Sequence, residues 1–292
     1  MLGFILTDFN PDVAEGEWDR IIGPNGPVEQ GASRQLWKFR DLLFLLVKRD
    51  MVAFYKQTVF GPLWFLILPV LTTSVYMIVF GQIARMPTGG VSPFLFYFCG
   101  VSLWAFFGEC LTKSSSVFRD NADLFGKVYF PRLLLPLSIV LSNTIKFSVQ
   151  FCLFLLFAVF YGALSTASIR WQTIFLPLLL FNLVGMSFSI GTLLAAAAAK
   201  YRDLLHIIPI GVQLLMYATP VVYMQSTVPL RILSFLRWNP LSPLFEAIRF
   251  VTLDAGAFSL KGIAYSTGCT IFLFCFAVRM FGNVERSVVD TV

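Results

Sequence analysis

The chain has 292 residues, of which 57% are hydrophobic and only 13% are charged, and its mean hydropathy is +0.77. Soluble domains carry roughly 25% charged residues, so this composition excludes an ordinary soluble fold and predicts an integral membrane protein. The net charge of +6 is ambiguous alone, but in membrane proteins it more often reflects basic cytoplasmic segments than nucleic-acid binding. The long apolar runs lack β-strand alternation, which favours helices over a barrel.

The first 33 residues are rich in Gly, Pro, Asp and Glu, and we expect them to form a solvated, partly disordered cytoplasmic tail. The first ten residues have no basic segment and too short an apolar core for a cleaved signal peptide. The glycines of residues 23–30 are not followed by Lys-Ser or Lys-Thr, so no phosphate-binding loop is predicted there.

A basic amphipathic helix is predicted for residues 34–59, with Ser33 in the N-cap position. One face is charged and the opposite face is apolar; the charged face holds Arg34, Lys38, Asp41, Lys48 and Arg49, broken by Leu45, and the apolar face holds Leu36, Phe39, Leu43, Val47 and Phe54. Such a helix before a membrane span is expected to lie in the interface plane. It either anchors the chain without a partner or also contacts a cytoplasmic protein through its polar face.

A helix needs about 20 apolar residues to cross about 30 Å of hydrocarbon. By this measure the sequence predicts an all-α integral membrane domain over residues 60–281, with six spans at 60–83, 94–111, 133–160, 173–199, 204–223 and 262–281. A polar segment, 112–132, and a tight turn, 200–203, connect spans on the cytoplasmic side. Residues 224–260 hold three prolines and only short apolar runs, which indicates external re-entrant or interfacial half-helices. Residues 282–292 are predicted to be a cytoplasmic tail.

The distribution of the 22 basic residues sets the predicted orientation. Most of them fall in the segments that share a side with the N-terminus, which the positive-inside rule places in the cytoplasm. Six spans return the C-terminus to that side, so both termini are predicted to be cytoplasmic.

Few residues suit catalysis or metal binding. His206 is the single histidine, and the five cysteines all lie within apolar runs without a CxxC pair, so neither a metal site nor a disulfide is predicted. Carboxylates are almost absent from the spans, whereas proton-coupled transporters place them at mid-membrane. If the protein moves a substrate, its energy should therefore come from another source.

Lys146 is the one charge deep within a predicted span. Its amine must reach the interface, find a partner or face a polar cavity. A role in a cavity or pore, and a structural pairing with a carbonyl or with Glu109, both remain open.

Four groups of short motifs occur in order along residues 34–290: Arg49-Asp50 with Tyr55-Lys56-Gln57-Thr58 and Gly61-Pro62-Leu63-Trp64; NADLFGKVYFPRLLLP at residues 121–136; Tyr201-Arg202-Asp203 followed by YATPVVY at residues 217–223; and Asn239-Pro240-Leu241 with Arg249. Together, on this topology, they resemble the ABC type-2 permease family, polysaccharide-export branch. The tail of residues 1–33 is a departure, because it is longer than expected for this family.

The resemblance implies a half-transporter in the bacterial inner (plasma) membrane that forms a homodimer and binds two copies of a cytoplasmic ABC ATPase. ATP and Mg would bind to that partner, with no cofactor on this chain. The exported substrate would be a lipid-linked polysaccharide such as O-antigen, or alternatively teichoic acid, capsule, a drug or a small lipid. Outside transport, the alternatives are a membrane enzyme acting on lipid-linked sugars, which would need clustered Asp, Glu or His at a membrane face, and a structural membrane anchor.

The resemblance also implies two sets of site residues. The ATPase-coupling set is Lys38, Arg40, Asp41, Lys48, Arg49, Asp50, Arg119, Asn121, Asp123, Lys127, Arg202 and Asp203. The substrate-channel set is Trp64, Tyr76, Trp104, Phe107 and Lys146, because aromatic rings can pack against the C–H faces of sugars.

Overall fold

The computed structural model describes residues 37, 39–56, 58–125, 130–162 and 171–289. The predicted tail of residues 1–33, the predicted helix start at residues 34–36, and Lys38 and Lys127 lie outside these ranges. The described part from residue 39 onward belongs to one compact unit, and it consists of helices and turns without a strand.

The helices follow one another with short connections. They are α1 (Arg40–Tyr55), α2 (Trp64–Tyr76, preceded by the 3₁₀ turn Gly61–Leu63 and extended by the π-helix Met77–Ile83), α3 (Pro93–Asp120, followed by the short helix Ala122–Phe125), α4 (Leu134–Phe160), α5 (Leu176–Lys200, preceded by the 3₁₀ turn Trp171–Phe175), α6 (Leu204–Tyr217, followed by the 3₁₀ turn Gln225–Thr227), α7 (Leu230–Leu236), α8 (Leu241–Leu253) and α9 (Leu260–Val289).

Five helical segments are long and apolar enough to cross a membrane: Gly61–Ile83, Pro93–Asp120, Leu134–Phe160, Thr173–Lys200 and Leu260–Phe281. They confirm the all-helical multi-pass architecture. The predicted span 204–223 is not among these five segments, because α6 has 14 residues and covers about 21 Å at 1.5 Å per residue. Residues 218–223 continue as irregular chain, so the count of six stays a prediction. The predicted half-helices correspond to α7 and α8, which are too short to cross.

The central helix of the bundle is α3. Of its most apolar window, 78% is buried within the protein, compared with 17–44% for the other four long segments. It packs against α2, α4, α5 and α6, and α9 packs on α5. The outer helices therefore present their apolar side chains to the surroundings, as expected for a bundle in lipid.

The second span extends beyond its predicted end at residue 111, because α3 continues to Asp120. Ser114 and Ser115 are buried there, and a Cβ atom at Gly191 of α5 would lie 2.9 Å from Ser114 Oγ. Small residues thus allow close helix packing where the polar sequence suggested a loop. The predicted tail from residue 282 is likewise helical as far as Val289.

A buried polar cluster joins α5 to α9. The amide of Asn182 donates to Ser266 Oγ (3.4 Å) and Thr267 Oγ1 (3.0 Å), and Thr270 Oγ1 donates to Asn182 Oδ1 (2.6 Å). Side-chain hydrogen bonds between membrane helices contribute about 0.6–2 kcal/mol each, so these contacts fix the pairing of the two helices.

The irregular chain after α6 is held by a completely buried arginine, Arg249 of α8. Its Nη2 donates to the carbonyls of Pro220 and Val221 (both 2.9 Å), and its Nη1 donates to that of Tyr223 (3.4 Å). The guanidinium carbon lies 4.0 Å from the ring centroid of Phe96 on α3, which adds a cation–π contact. One side chain thereby satisfies three carbonyls that the end of α6 leaves without helical partners.

Glu246 lies one helical turn before Arg249 and is 3.9 Å from its Nη1. Its two oxygens also accept the backbone N–H groups of Gln225 (3.1 Å) and Ala257 (3.0 Å). Burial lowers the pKa of Arg249, and the negative charge of Glu246 opposes this shift. A guanidinium remains charged in proteins, so Glu246 lies beside a buried cation.

Asn239 provides a second attachment for the same segment. Its amide nitrogen donates to the Ala218 carbonyl and to Thr219 Oγ1 (both 2.9 Å), and its amide oxygen accepts the N–H of Leu241 at the start of α8 (3.0 Å). Three of the motif stretches noted in the sequence, YATPVVY, Asn239-Pro240-Leu241 and Arg249, therefore meet in one hydrogen-bonded unit, which we call the arginine lock.

Gly100 of α3 is expected to be essential for this contact. A Cβ atom there would lie 2.3 Å from the Val221 carbonyl oxygen and 3.0 Å from Arg249 Nη2. We predict that Gly100→Ala destabilises the protein by about 1–3 kcal/mol through overpacking, measured as a lower thermal midpoint in detergent. The matched control is Gly268→Ala in α9, where nothing lies within 4 Å and a helical alanine should stabilise by up to about 1 kcal/mol. Equal midpoints for the two variants would contradict the close contact.

Removing the Arg249 side chain should destabilise the protein more than Gly100→Ala does. Arg249→Met leaves Glu246 and three carbonyls buried without their partner, a change that typically costs about 3–5 kcal/mol. Arg249→Lys should recover only part of this, because an ammonium lacks the planar fork of donors. Thermal midpoints test both variants against Arg231→Met, an exposed arginine of α7. If Arg249→Met unfolds no earlier than Arg231→Met, the lock contributes nothing to stability.

Candidate functional site

A charged cavity of about 410 Å³ lies between α1, α3 and α4. It is at the end of the bundle where α3 finishes, α4 begins and α1 packs against α4. Its lining combines cations, carboxylates and polar side chains: Arg49, Asp50, Ala53, Lys113, Val117, Asp120, Asn121, Ile139, Ser142, Asn143 and Lys146.

Helix α1 brings two of these charges to the cavity. Leu46 and Val47 are buried, and Asp50 and Ala53 follow Leu46 at spacings of four and seven residues, on the same helical face. Arg49 and Asp50 form an ion pair within the cavity wall, with Arg49 Nη2 2.9 Å from Asp50 Oδ1. Burial of the apolar pair thus determines which way the two charges point.

Two lysines that line the cavity share one carboxylate, that of Glu109. Lys146 Nζ lies 3.3 Å from Glu109 Oε1 and 3.4 Å from Asn143 Oδ1, and Lys113 of the next helical turn pairs with the same Glu109 oxygen. The Cα atom of Glu109 lies about 16 Å along α3 from the helix end. Lys146 therefore both pairs with Glu109 and lines the cavity, and its role in transport stays a prediction.

The rim of the cavity is set by the end of α3. Arg119 Nε donates to Asp120 Oδ1 (3.0 Å), and Ser116 Oγ donates to Asp120 Oδ2 (2.6 Å). Asn121 is buried and its amide donates to the Val117 carbonyl (2.9 Å), which closes the last turn. A lining of ion pairs and amides can hold an ionic group or change its pairing when a helix moves.

The structure separates the predicted coupling residues into two groups. Arg49, Asp50 and Asn121 line the cavity. The remaining described members are exposed: Arg40, Asp41 and Lys48 on α1, Arg119 at the rim, Asp123 beyond it, and Arg202 and Asp203 in the turn between α5 and α6. Lys38 and Lys127 lie outside the described residues.

The predicted channel residues occupy different environments. Trp64 and Tyr76 are half-buried on α2, and the Tyr76 hydroxyl lies 3.6 Å from Met216 Sδ of α6. Trp104 and Phe107 are buried, with their ring centroids 5.6 Å apart. Lys146 lines the charged cavity, so the five residues do not form one surface within a single chain.

Sequence reasoning did not select Lys113, Asp120, Ser142 or Asn143 as site residues. The available signal was spacing, because Glu109 and Lys113, and Ser116 and Asp120, are each four residues apart and pair on a helix. Because the predicted second span ends at residue 111, Lys113, Ser116 and Asp120 were assigned to a loop, and their helical spacing was not recognised.

Comparison with known proteins finds one matching family and three similar permeases. The model of the ABC-2 type transporter family matches residues 41–253. The O-antigen export system permease protein RfbA of Myxococcus xanthus is 32% identical over 195 residues, covering 67% of this chain and 73% of that protein. Two RfbA permeases of Klebsiella pneumoniae are each 26% identical, over 239 and 246 residues, covering 82% and 84% of this chain and 90% and 92% of their own lengths.

The family match extends from the first turn of α1 to the last residue of α8. It therefore includes both the charged cavity and the arginine lock. This chain is a member of the ABC-2 type transporter family.

Proposed function

We propose that the protein is the membrane permease subunit of an ATP-driven exporter of lipid-linked polysaccharide of the O-antigen type. The observation that carries this proposal is the family match together with three relatives named as O-antigen export permeases, each aligned over at least two thirds of this chain. ATP hydrolysis would take place on a separate ABC ATPase, two copies of which would bind a permease homodimer in the bacterial inner membrane.

The end of the bundle that carries α1 would face the cytoplasm. Exposed basic residues are concentrated there, including Arg40, Lys48, Arg119, Lys200 and Arg202, as the positive-inside rule requires. Helix α6 and the irregular residues 218–223 would together form a sixth crossing, because the arginine lock satisfies the irregular backbone internally. Both termini would then be cytoplasmic.

The outer face of α1 is the proposed ATPase contact. Arg40, Phe44 and Lys48 recur every four residues, so they share one side of the helix, and all three are exposed. The burial of Leu46 and Val47 holds α1 on the bundle. A push on the outer face would therefore move α1 and α4 together as rigid bodies, and in a symmetric dimer it would act on a pore along the two-fold axis.

We predict that reversing the charge of this face weakens ATPase binding. The double variant Arg40→Glu and Lys48→Glu should reduce affinity for the partner ATPase by at least about tenfold, because like charges would then meet at the contact. Affinity can be measured by titrating the labelled ATPase onto permease in nanodiscs. The control, Arg231→Glu with Lys261→Glu, reverses two exposed charges near α7 and at the start of α9. If both variants bind the ATPase equally well, the outer face of α1 is not the contact.

The function itself is tested by co-expressing the permease with each candidate ABC ATPase of the same genome and co-purifying the complex. We expect a complex of two permeases and two ATPases whose ATP turnover changes when lipid-linked O-antigen is added. If the complex is stable but its ATP turnover responds only to another class of glycan, the protein is a transporter subunit with a different substrate. A permease that purifies without any ATPase would overturn the proposal.

A further inference from the structure

We propose that the charged cavity binds the phosphate group of a membrane lipid, whose hydrocarbon chain lies along the outside of α4. This inference needs only that the chain spans a membrane. It does not depend on the polysaccharide substrate proposed above.

The charges at the cavity favour an anion. Four cations line the cavity or pair with its lining, namely Arg49, Lys113, Lys146 and Arg119, and they meet three carboxylates, namely Asp50, Glu109 and Asp120. Both lysines that line the cavity pair with a single oxygen of Glu109. Lys146 is buried within the bundle, where a cation is costly unless an anion is close. A phosphate offers several acceptor oxygens to ammonium and guanidinium groups at once.

The outside of α4 favours a lipid over free phosphate. Leu141, Ile145 and Val149 are exposed apolar residues that recur every four positions. At about 100° per residue they lie about 60–140° around the helix from Lys146, directly beside the residues of α4 that line the cavity. Leu156 continues the same exposed stripe. A head group in the cavity would place its hydrocarbon chain on this stripe.

The position and size of the cavity suit a head group. Its wall includes α1, which is basic and amphipathic, as expected of a helix at the level of lipid head groups. A volume of about 410 Å³ lies within the range of about 300–1,000 Å³ that is typical of small-molecule sites. Ala53 of α1 is exposed and lines the cavity, so an opening towards the surroundings lies beside it.

Native mass spectrometry of the full chain in detergent tests the proposal, with four probes: dioleoylphosphatidylglycerol, a polyprenyl diphosphate, dioleoylglycerol and inorganic phosphate. We expect the first two to bind and the last two to bind at least about tenfold more weakly. Lys113→Gln with Lys146→Gln should weaken lipid-phosphate binding by about tenfold or more, since each lost contact is charge-assisted. Lys200→Gln with Arg279→Gln, two exposed residues at the same end of the bundle, should leave binding unchanged.

The double lysine variant leaves Glu109 without its cations, so a second variant that keeps this pairing is needed to separate an effect on lipid binding from an effect on folding. Ala53→Trp keeps every charge, changes an exposed position and fills the opening, and it should also reduce lipid binding by about tenfold. Tighter binding of phosphatidylglycerol would assign the cavity to bulk membrane lipid, and tighter binding of the polyprenyl diphosphate would assign it to a carrier lipid. Equal binding by the wild type, Ala53→Trp and the lysine variant, or phosphate binding as tight as lipid binding, would overturn the proposal.

Discussion

In a hydrocarbon layer, a backbone carbonyl or N–H group that leaves the helical pattern has no water to bind and must find its partner within the protein. The arginine lock meets this requirement at the end of α6. The helix stops at Tyr217, and Arg249 supplies donors to the carbonyls of Pro220, Val221 and Tyr223. The amide nitrogen of Asn239 similarly donates to the Ala218 carbonyl. Without these two side chains, a short helix followed by irregular chain would be a costly structure in a membrane.

The central helix α3 connects this requirement to the charged cavity. Near one end, Gly100 leaves room for the Val221 carbonyl, and Phe96 lies against the Arg249 guanidinium. Towards the other end, Glu109 binds both lysines of the cavity. Because α3 is the most buried of the long helices, a close-packed interior that resists small deformations separates the two sites. Movement of either site is therefore expected to involve the helix as a whole.

Much of the fold could be predicted from hydrophobicity alone, because the lengths of apolar runs are set by the thickness of the bilayer. The span at residues 133–160 matches α4 to within one residue. Prediction failed where polar residues are helical. Ser114 and Ser115 are buried, but their polarity ended the predicted second span at residue 111. The tight contact between Ser114 and Gly191 that makes this turn part of the helix core comes from a distant segment.

The site was predicted less completely, for a related reason. Arg249 counted as an external charge in the sequence, whereas it is completely buried. Its partners are carbonyls of residues 220–223, and nothing in a sequence pattern marks a carbonyl as unpaired. Lys146 was recognisable because a lone charge within an apolar run needs a partner, and Glu109 was among those considered. Lys113 was not recognised, since it shares that partner from beyond the predicted end of the span.

The position of the charged cavity bears on how a movement of α1 would reach the bundle. On the face of α1 that packs against the bundle, Leu46 and Val47 are buried, and such apolar packing tolerates little change in shape. About one turn further along, α1 meets the cavity with ion pairs such as Arg49–Asp50, which can exchange partners without opening a void. A displacement of α1 would therefore alter the cavity before it altered the packed interior. A lipid phosphate bound there would link Arg49 of α1 to Lys113 and Lys146, and so would stiffen the connection through which the proposed ATPase acts.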